Sequence, residues 1–338
     1  MKFHKLNLPA YSSMYLQLEL LQLGANNLTG SIPPSIGNLT SLVHFSVPYN
    51  NLVGSIPEEI GHLNNLSILA VAANKFSGEL PSSLYNISSI TIISTASNGF
   101  NGTLPANIGL TLPNLEWLAI SSNEFSGPIP LSLSNASKLQ ALVLSTNNFV
   151  GVVPRDLGKL VDLWWLGFGN NFLGSNSTDD LEFLASLKNI SRLEILDFSN
   201  NQFGGVLPTS IANLSTTLTS LYLGGNQISG AIPTTLEKYT NLQVLDMSAN
   251  LFTGKIPTYF GRFPKMQAAE EKDSENHSQI NGKMENCLHI VLEIGVACSV
   301  ESPKERMKMG EVIRELVRIK NAFLGFQDCV DRASMPQF

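Results

Sequence analysis

Leu139-Gln-Ala-Leu142-Val-Leu144-Ser-Thr-Asn147-Asn-Phe-Val-Gly151-Val-Val-Pro154 is the stretch that decides the fold. Its frame, L-x-x-L-x-L-x-x-N, recurs along the chain, so that Asn26, Asn50, Asn74, Asn98, Asn123, Asn147, Asn171, Asn201, Asn226 and Asn250 each stand eight residues after a leucine or isoleucine. The units begin at Leu18, Leu42, Leu66, Ile90, Leu115, Leu139, Leu163, Leu193, Leu218 and Leu242, and the last runs out near Lys265. A period of about 24 residues marks a stacked repeat array. Leu142 and Leu144 alternate with Val143 and Ser145, which points the leucines inward along a short strand and the others outward. One unit of this size cannot bury its own leucines, so the units must stack into a solenoid with a long open strand face.

Each asparagine turns the chain inward after the strand, and its amide supplies donors and an acceptor to main-chain groups of neighbouring turns. In nine units a glycine follows at the fourth position and a proline at the seventh, as in Asn226-Gln-Ile-Ser-Gly230-Ala-Ile-Pro233. Glycine admits a dihedral that other residues avoid, and proline holds φ near one value. The full unit, L-x-x-L-x-L-x-x-N-x-[LFI]-x-G-x-[IL]-P-x-x-[IL]-x-x-L, resembles the plant-type leucine-rich repeat of receptor kinases and polygalacturonase-inhibiting proteins. That resemblance implies an α/β repeat fold: a right-handed superhelical solenoid with a parallel inner sheet, a second short strand at the G-x-I-P segment, and short helical turns outside.

One unit departs from the pattern. From Leu163 to Arg192 it runs to 30 residues and has neither the glycine nor the proline at their usual places. Its insertion, Asn176-Ser-Thr-Asp-Asp-Leu-Glu-Phe-Leu-Ala-Ser-Leu-Lys-Asn189, predicts a helix capped by Ser177 or Thr178, with Asp179, Asp180 and Glu182 in the first turn and Leu181, Leu184 and Leu187 on the inner face. The adjacent aspartates are assigned to helix-end electrostatics, not to metal or acid-base chemistry. A unit of this form is similar to one in the receptor-kinase subfamily that contains plant sensors of bacterial elicitors.

The formal net charge of −6, with ten Lys or Arg against fifteen Asp or Glu between Leu18 and Lys265, argues against nucleic acid as a partner. Nine N-x-[ST] sequons in the repeats, at Asn27, Asn38, Asn65, Asn86, Asn101, Asn135, Asn176, Asn189 and Asn213, suit a segment that passes through the secretory pathway, and a tenth lies at Asn276. Residues 1–17 read as a stub without a signal peptide, because Pro9, Ser12, Ser13 and Gln17 interrupt any apolar stretch. No window offers the roughly 18 to 20 apolar residues of a membrane span. Cys287, Cys298 and Cys329 all follow the repeats, and the cysteine-bearing amino-terminal cap of the family has no counterpart before Leu18. The expectation is a truncated chain.

After the repeats of residues 18–265, residues 266–284 read as a polar linker, 285–326 as two helices and 327–338 as a tail. The letters G-x-A-C-S-x-x-S-P-x-E-R-M-x-M-x-x-V-x-x-E-L, from Gly295 to Leu316, are similar to the last helices of a receptor-kinase catalytic domain. In that resemblance Arg306 matches the family's structural arginine. No glycine-rich phosphate loop with a following V-A-x-K strand, no H-R-D-x-x-x-x-N and no D-F-G is present, so this chain is read as catalytically incompetent. Gly167-Phe-Gly169 lacks the third glycine, and the five histidines have no metal spacing. Neither cofactor nor metal is expected.

Binding is therefore sought on the strand face. Against mostly small outward residues, Trp117, Trp164, Trp165, Glu116, Tyr49, His44, Tyr222, Asp197 and Asp246 are the candidate ligand-binding residues. Trp117 and Trp165 hold the same repeat position two units apart, which places their backbones about 10 Å from each other. The resemblance implies the recognition module of a plant receptor-like kinase at the extracellular side of the plasma membrane, with a peptide or protein ligand and a co-receptor as partners. The alternative on the same repeat is a secreted inhibitor of a cell-wall-degrading enzyme.

Overall fold

The computed structural model describes residues 17–262. The stub before Gln17, the linker, the two-helix segment with Arg306, the tail, Asn276 and the three cysteines lie outside the described residues.

Ten three-residue strands, from Leu20–Gln22 to Val244–Asp246, form one parallel sheet in strict chain order. Each strand pairs with its counterpart one repeat away: Ala141 faces Trp117 on one side and Trp165 on the other, and Leu142 lies between Leu118 and Leu166. The strands are short because only the three residues around the central leucine stay extended before the chain turns in. The fold is the leucine-rich-repeat solenoid expected, with the inward leucines as its core. Leu118, Leu142, Leu166, Leu196 and Leu221 are at most 1% exposed, and each such side chain contributes roughly 1.5–3 kcal/mol of burial.

A second set of short strands follows nine of the ten ladder asparagines, all but Asn201. It forms sheets of four, three and two strands and ends within one residue of the positive-φ glycine, so it lies ahead of the I-P pair instead of on the G-x-I-P segment. The reason is local. The nine pattern glycines have φ between +77° and +92°, which halts the extended run. The proline then stands just before a 3-10 turn and its carbonyl accepts from the amide three residues on, as in Leu133 N–H to Pro130 O at 3.1 Å.

The asparagine ladder does what its chemistry requires. Asn147 Oδ1 accepts from the Phe125 amide of the preceding repeat at 3.0 Å, while its Nδ2 lies 3.0 Å from the Ile120 and Leu144 carbonyls and 3.3 Å from that of Ser145. Every ladder asparagine from Asn50 to Asn250 repeats the inter-repeat bond to its acceptor oxygen. The residue just before each asparagine is in the left-handed region, with Tyr49 at φ 54 and Ser122 at φ 54.

The long repeat corrects two expectations. Gly174, one position earlier than usual, takes the positive φ of 86, so the glycine's role is kept. The predicted helix is shorter: residues 178–182 are a turn, the α-helix covers Phe183–Ser186 without a side-chain cap bond or an acid in its first turn, and a 3-10 turn, Leu187–Asn189, completes it. Leu181, Leu184 and Leu187 are buried as expected. The insertion adds Phe183 to the core, its ring 5.7 to 5.8 Å from those of Phe168, Phe198 and Phe203. Asp180 is not a helix-end charge. Its carboxylate is buried and accepts from the amides of Ser175, Ser177 and, in the next repeat, Gly204, at 2.9 to 3.0 Å. Burial alone would raise its pKa, but these donors and the Ser175 hydroxyl outweigh it and hold the carboxyl below its ordinary value.

Candidate functional site

On the inner sheet two columns of side chains leave the core side. The first residue of the six strands from Ile68–Ala70 to Ile195–Asp197 builds an apolar column, Ile68, Ile92, Trp117, Ala141, Trp165 and Ile195. The third residue is small in the middle repeats, Ala70, Ser94, Ala119, Val143 and Gly167, and becomes Asp197, Tyr222 and Asp246 in the last three.

The tryptophans meet in one cluster, although not in the roles expected of each. Trp117 and Trp165 start their strands in register two strands apart and are half-buried, as their spacing predicts. Trp164 was expected on the open face, and the structure corrects this: it is 5% exposed. Its ring packs edge-on against Trp117 at 5.8 Å and tilted against Trp165 at 5.7 Å, bridging the two across the intervening repeat. Ala141, between the two outer tryptophans in register, is small enough to leave that space. The Trp165 indole extends along its strand, with Nε1 3.2 Å from where a Cβ on Gly167 would lie. Trp165 thus presents its ring in the lane of the third-residue column.

In that lane Asp197, Tyr222 and Asp246 are direct register partners on consecutive strands. Both aspartates sit in D-x-S turns: Asp197 Oδ1 accepts from the Ser199 amide at 3.0 Å and hydroxyl at 2.7 Å, and Asp246 Oδ1 from those of Ser248 at 2.9 and 2.7 Å. They lean over Gly169 and Gly224 of the preceding repeats, where an added Cβ would come within 2.6 Å of a carboxylate oxygen. Burial, offset by the Ser220 hydroxyl and reinforced by the two carboxylates, pushes the Tyr222 phenol up to about 12. It is therefore neutral at physiological pH.

The remaining candidates do not join this cluster. Tyr49 is in the turn, at φ 54 beside ladder residue Asn50, and not on the strand, because the chain has already bent inward there. The small residues one position earlier in the equivalent turns, Ala72, Ser121, Gly169 and Gly224, are buried. Glu116 precedes its strand, half-buried, and accepts from Gln140 Nε2 at 3.4 Å. His44 starts the second strand, and burial lowers its pKa. Sequence reasoning takes Gly169 and Gly224 only as part of a flat background and misses that Ala141, Gly167, Gly169 and Gly224 make room for the large side chains beside them; the signal for this was their register beside large residues of adjacent repeats.

All nine repeat sequons have exposed asparagines, and none lies on an inner strand. Asn38, Asn86, Asn135, Asn189 and Asn213 occupy the same place, the last residue of an outer 3-10 turn. Among the described residues no helix is long and apolar enough to cross a membrane.

The family model described as Leucine Rich Repeat matches residues 17–39, 114–136, 192–214, 217–239 and 241–263. Over 89 residues the chain is 55% identical to the LRR receptor-like serine/threonine-protein kinase EFR of Arabidopsis thaliana, a match that covers 26% of this chain and 9% of that relative. The chain thus spans only about a tenth of the first curated relatives it matches. Among solved structures it is similar to the Arabidopsis receptor kinase HAESA in complex with the peptide hormone IDA and the co-receptor SERK1, at 29% identity and a TM-score of 0.68, covering 76% of this chain and 42% of that one. It is also similar to a plant ice-binding protein, at 32% identity and a TM-score of 0.62, covering 70% of this chain and 74% of that one. Neighbours with such different ligands share the repeat, so the ligand class has to be read from this chain's own inner face.

Proposed function

Since the chain belongs, through its repeats, to the ectodomains of plant leucine-rich-repeat receptor-like kinases, we propose that it recognises a peptide or protein ligand on its inner sheet. The observation that carries this reading is the tryptophan cluster: large aromatic rings held at one place on a rigid sheet whose outward residues are otherwise small. Such a surface is ordered before a partner arrives, so a few large residues can dominate affinity. The sequons, all exposed and all off the inner strands, support a location on the extracellular side of the plasma membrane and leave that face unobstructed. A co-receptor is the second partner in this reading, as in the HAESA complex. Residues 285–326, which resemble the last kinase helices, are read as a remnant that does not transfer phosphate, because the nucleotide and metal ligands are not encoded.

The test is capture. The full chain, secreted behind an added signal peptide and carrying a photo-crosslinker at position 70 or 119, is incubated with the secreted peptide fraction of a plant culture. Covalent peptide adducts at these inner-sheet positions, absent from a chain labelled on the outer turn at position 131, are expected. Trp165→Ala should then weaken the captured peptide by roughly 2 kcal/mol or more. Adducts confined to position 131, or none, overturn the reading.

A further inference from the structure

Charge on the inner sheet is one-sided. No described lysine or arginine lies on an inner strand, whereas Asp197 and Asp246 do, on either side of Tyr222. Three basic residues are paired elsewhere: Arg155 with Glu182, Lys159 with Asp156, and Arg192 with Asp162. The aspartates are also held in place. Each uses its D-x-S turn to fix the carboxylate over a glycine of the preceding repeat, so the negative charge is set in position by the fold instead of swinging on a mobile side chain.

The apolar end of this surface lies at a defined distance. The Trp165 indole overlies Gly167, in the same lane as Tyr222, two strands away. Strands about 4.8 Å apart put these positions roughly 10 Å from each other. An extended β-strand ligand shows one face every second residue, about 6.6 Å, and misses that interval. A ligand in the polyproline II helix shows one face every third residue, about 9.3 Å, and meets it.

We propose that the inner face takes a cationic peptide in a polyproline II conformation, crossing the strands, with an arginine or lysine over Tyr222 between Asp197 and Asp246 and an apolar side chain, three residues away, on Trp165. The cation meets two carboxylates and the face of a neutral phenol ring, a combination that favours it by charge and by attraction to the ring. The proposal rests on the peptide-binding reading above and names the class of peptide.

A phage-displayed library of random dodecapeptides is selected on the full chain, and on a chain carrying D197N and D246N. Asparagine keeps the acceptor oxygen that the serine amides use, so the turns survive and melting temperature should be unchanged. Expected is a pool enriched in Arg or Lys three positions from an apolar residue. The tightest member should bind at least tenfold more weakly to the double variant and to wild type in high salt, and weaken again on Trp165→Ala. Failure to select any peptide on wild type overturns the peptide-binding reading itself. Selected peptides without a basic residue, or with affinity that the double variant leaves unchanged, overturn this proposal while that reading stands. If the double variant unfolds, Tyr222→Leu replaces it, and an unchanged affinity for the basic peptide then counts against the proposal.

Discussion

Asn171 shows how much one side chain carries. Its Oδ1 accepts from the Phe149 amide at 2.9 Å, and its Nδ2 lies within 3.0 to 3.2 Å of the Leu144, Phe168 and Gly169 carbonyls, all out of contact with water. Removing the amide strands buried main-chain groups of two repeats, and each such group left without a partner costs about 1–3 kcal/mol. Asn171→Ala should therefore lose about 3 kcal/mol or more in urea unfolding, with partners this numerous. Asn26, exposed and bonded to the Leu23 and Gly24 carbonyls, should lose less than about 1 kcal/mol on the same change. Equal losses would show that the ladder acts through something other than these bonds. The tryptophans divide in the same way. Trp164→Ala opens a buried site and should cost about 3 kcal/mol of stability, whereas half-buried Trp165 should cost clearly less, a contrast that paired thermal melts of the two variants will read.

The long repeat is where one element departs from its neighbours and the departure has a use. Its extra residues bring Phe183 into the core and let Asp180 tie the loop at Ser175 and Ser177 to the next repeat at Gly204. Asp180→Asn keeps the shape but removes the charge and turns one acceptor into a donor, so it should cost about 2 kcal/mol at pH 7, in the range of hydrogen bonds to a charged group. The pH dependence has a definite sign. The folded carboxyl titrates below its unfolded value of about 3.9. Its stabilisation is then complete above roughly pH 4 and fades as the pH falls through the folded value. Stability curves of wild type and variant should run apart at pH 7 and converge below pH 4. Curves separated by a constant gap down to pH 2 would mean that the charge is not what holds the loop.

At the scale of the whole array, each inner strand pairs only with those of the adjacent repeats, so the outer turns can vary while the inner sheet stays continuous. That division predicts where sugars sit. Expressed behind a signal peptide, the chain should carry glycans at several of Asn38, Asn86, Asn135, Asn189 and Asn213, the equivalent ends of outer 3-10 turns. Asn27, whose Oδ1 already accepts from Asn51 Nδ2 at 2.7 Å, should be the least occupied. Mass mapping of glycopeptides will show this, and a chain bare at all five turn ends would contradict a secretory history.

The repeat frame by itself determined the solenoid, the parallel inner sheet, the buried leucines, the ladder's inter-repeat bonds and the positive φ at glycine, because each follows from the periodicity of a single unit and from the chemistry of one residue type. Even the register of Trp117 with Trp165 could be counted from the letters. Only the tertiary structure decided that Trp164 is buried, that Tyr49 belongs to a turn, that Asp180 serves main-chain amides, and that glycines at 167, 169 and 224 make room for an indole and two carboxylates. For Trp164, Asp180 and the glycines the deciding contact joins residues of neighbouring or next-but-one repeats, or depends on which way a side chain leans, and a frame read one unit at a time contains neither; for Tyr49 it is the backbone bend made in every unit just before its asparagine, which the letters do not mark.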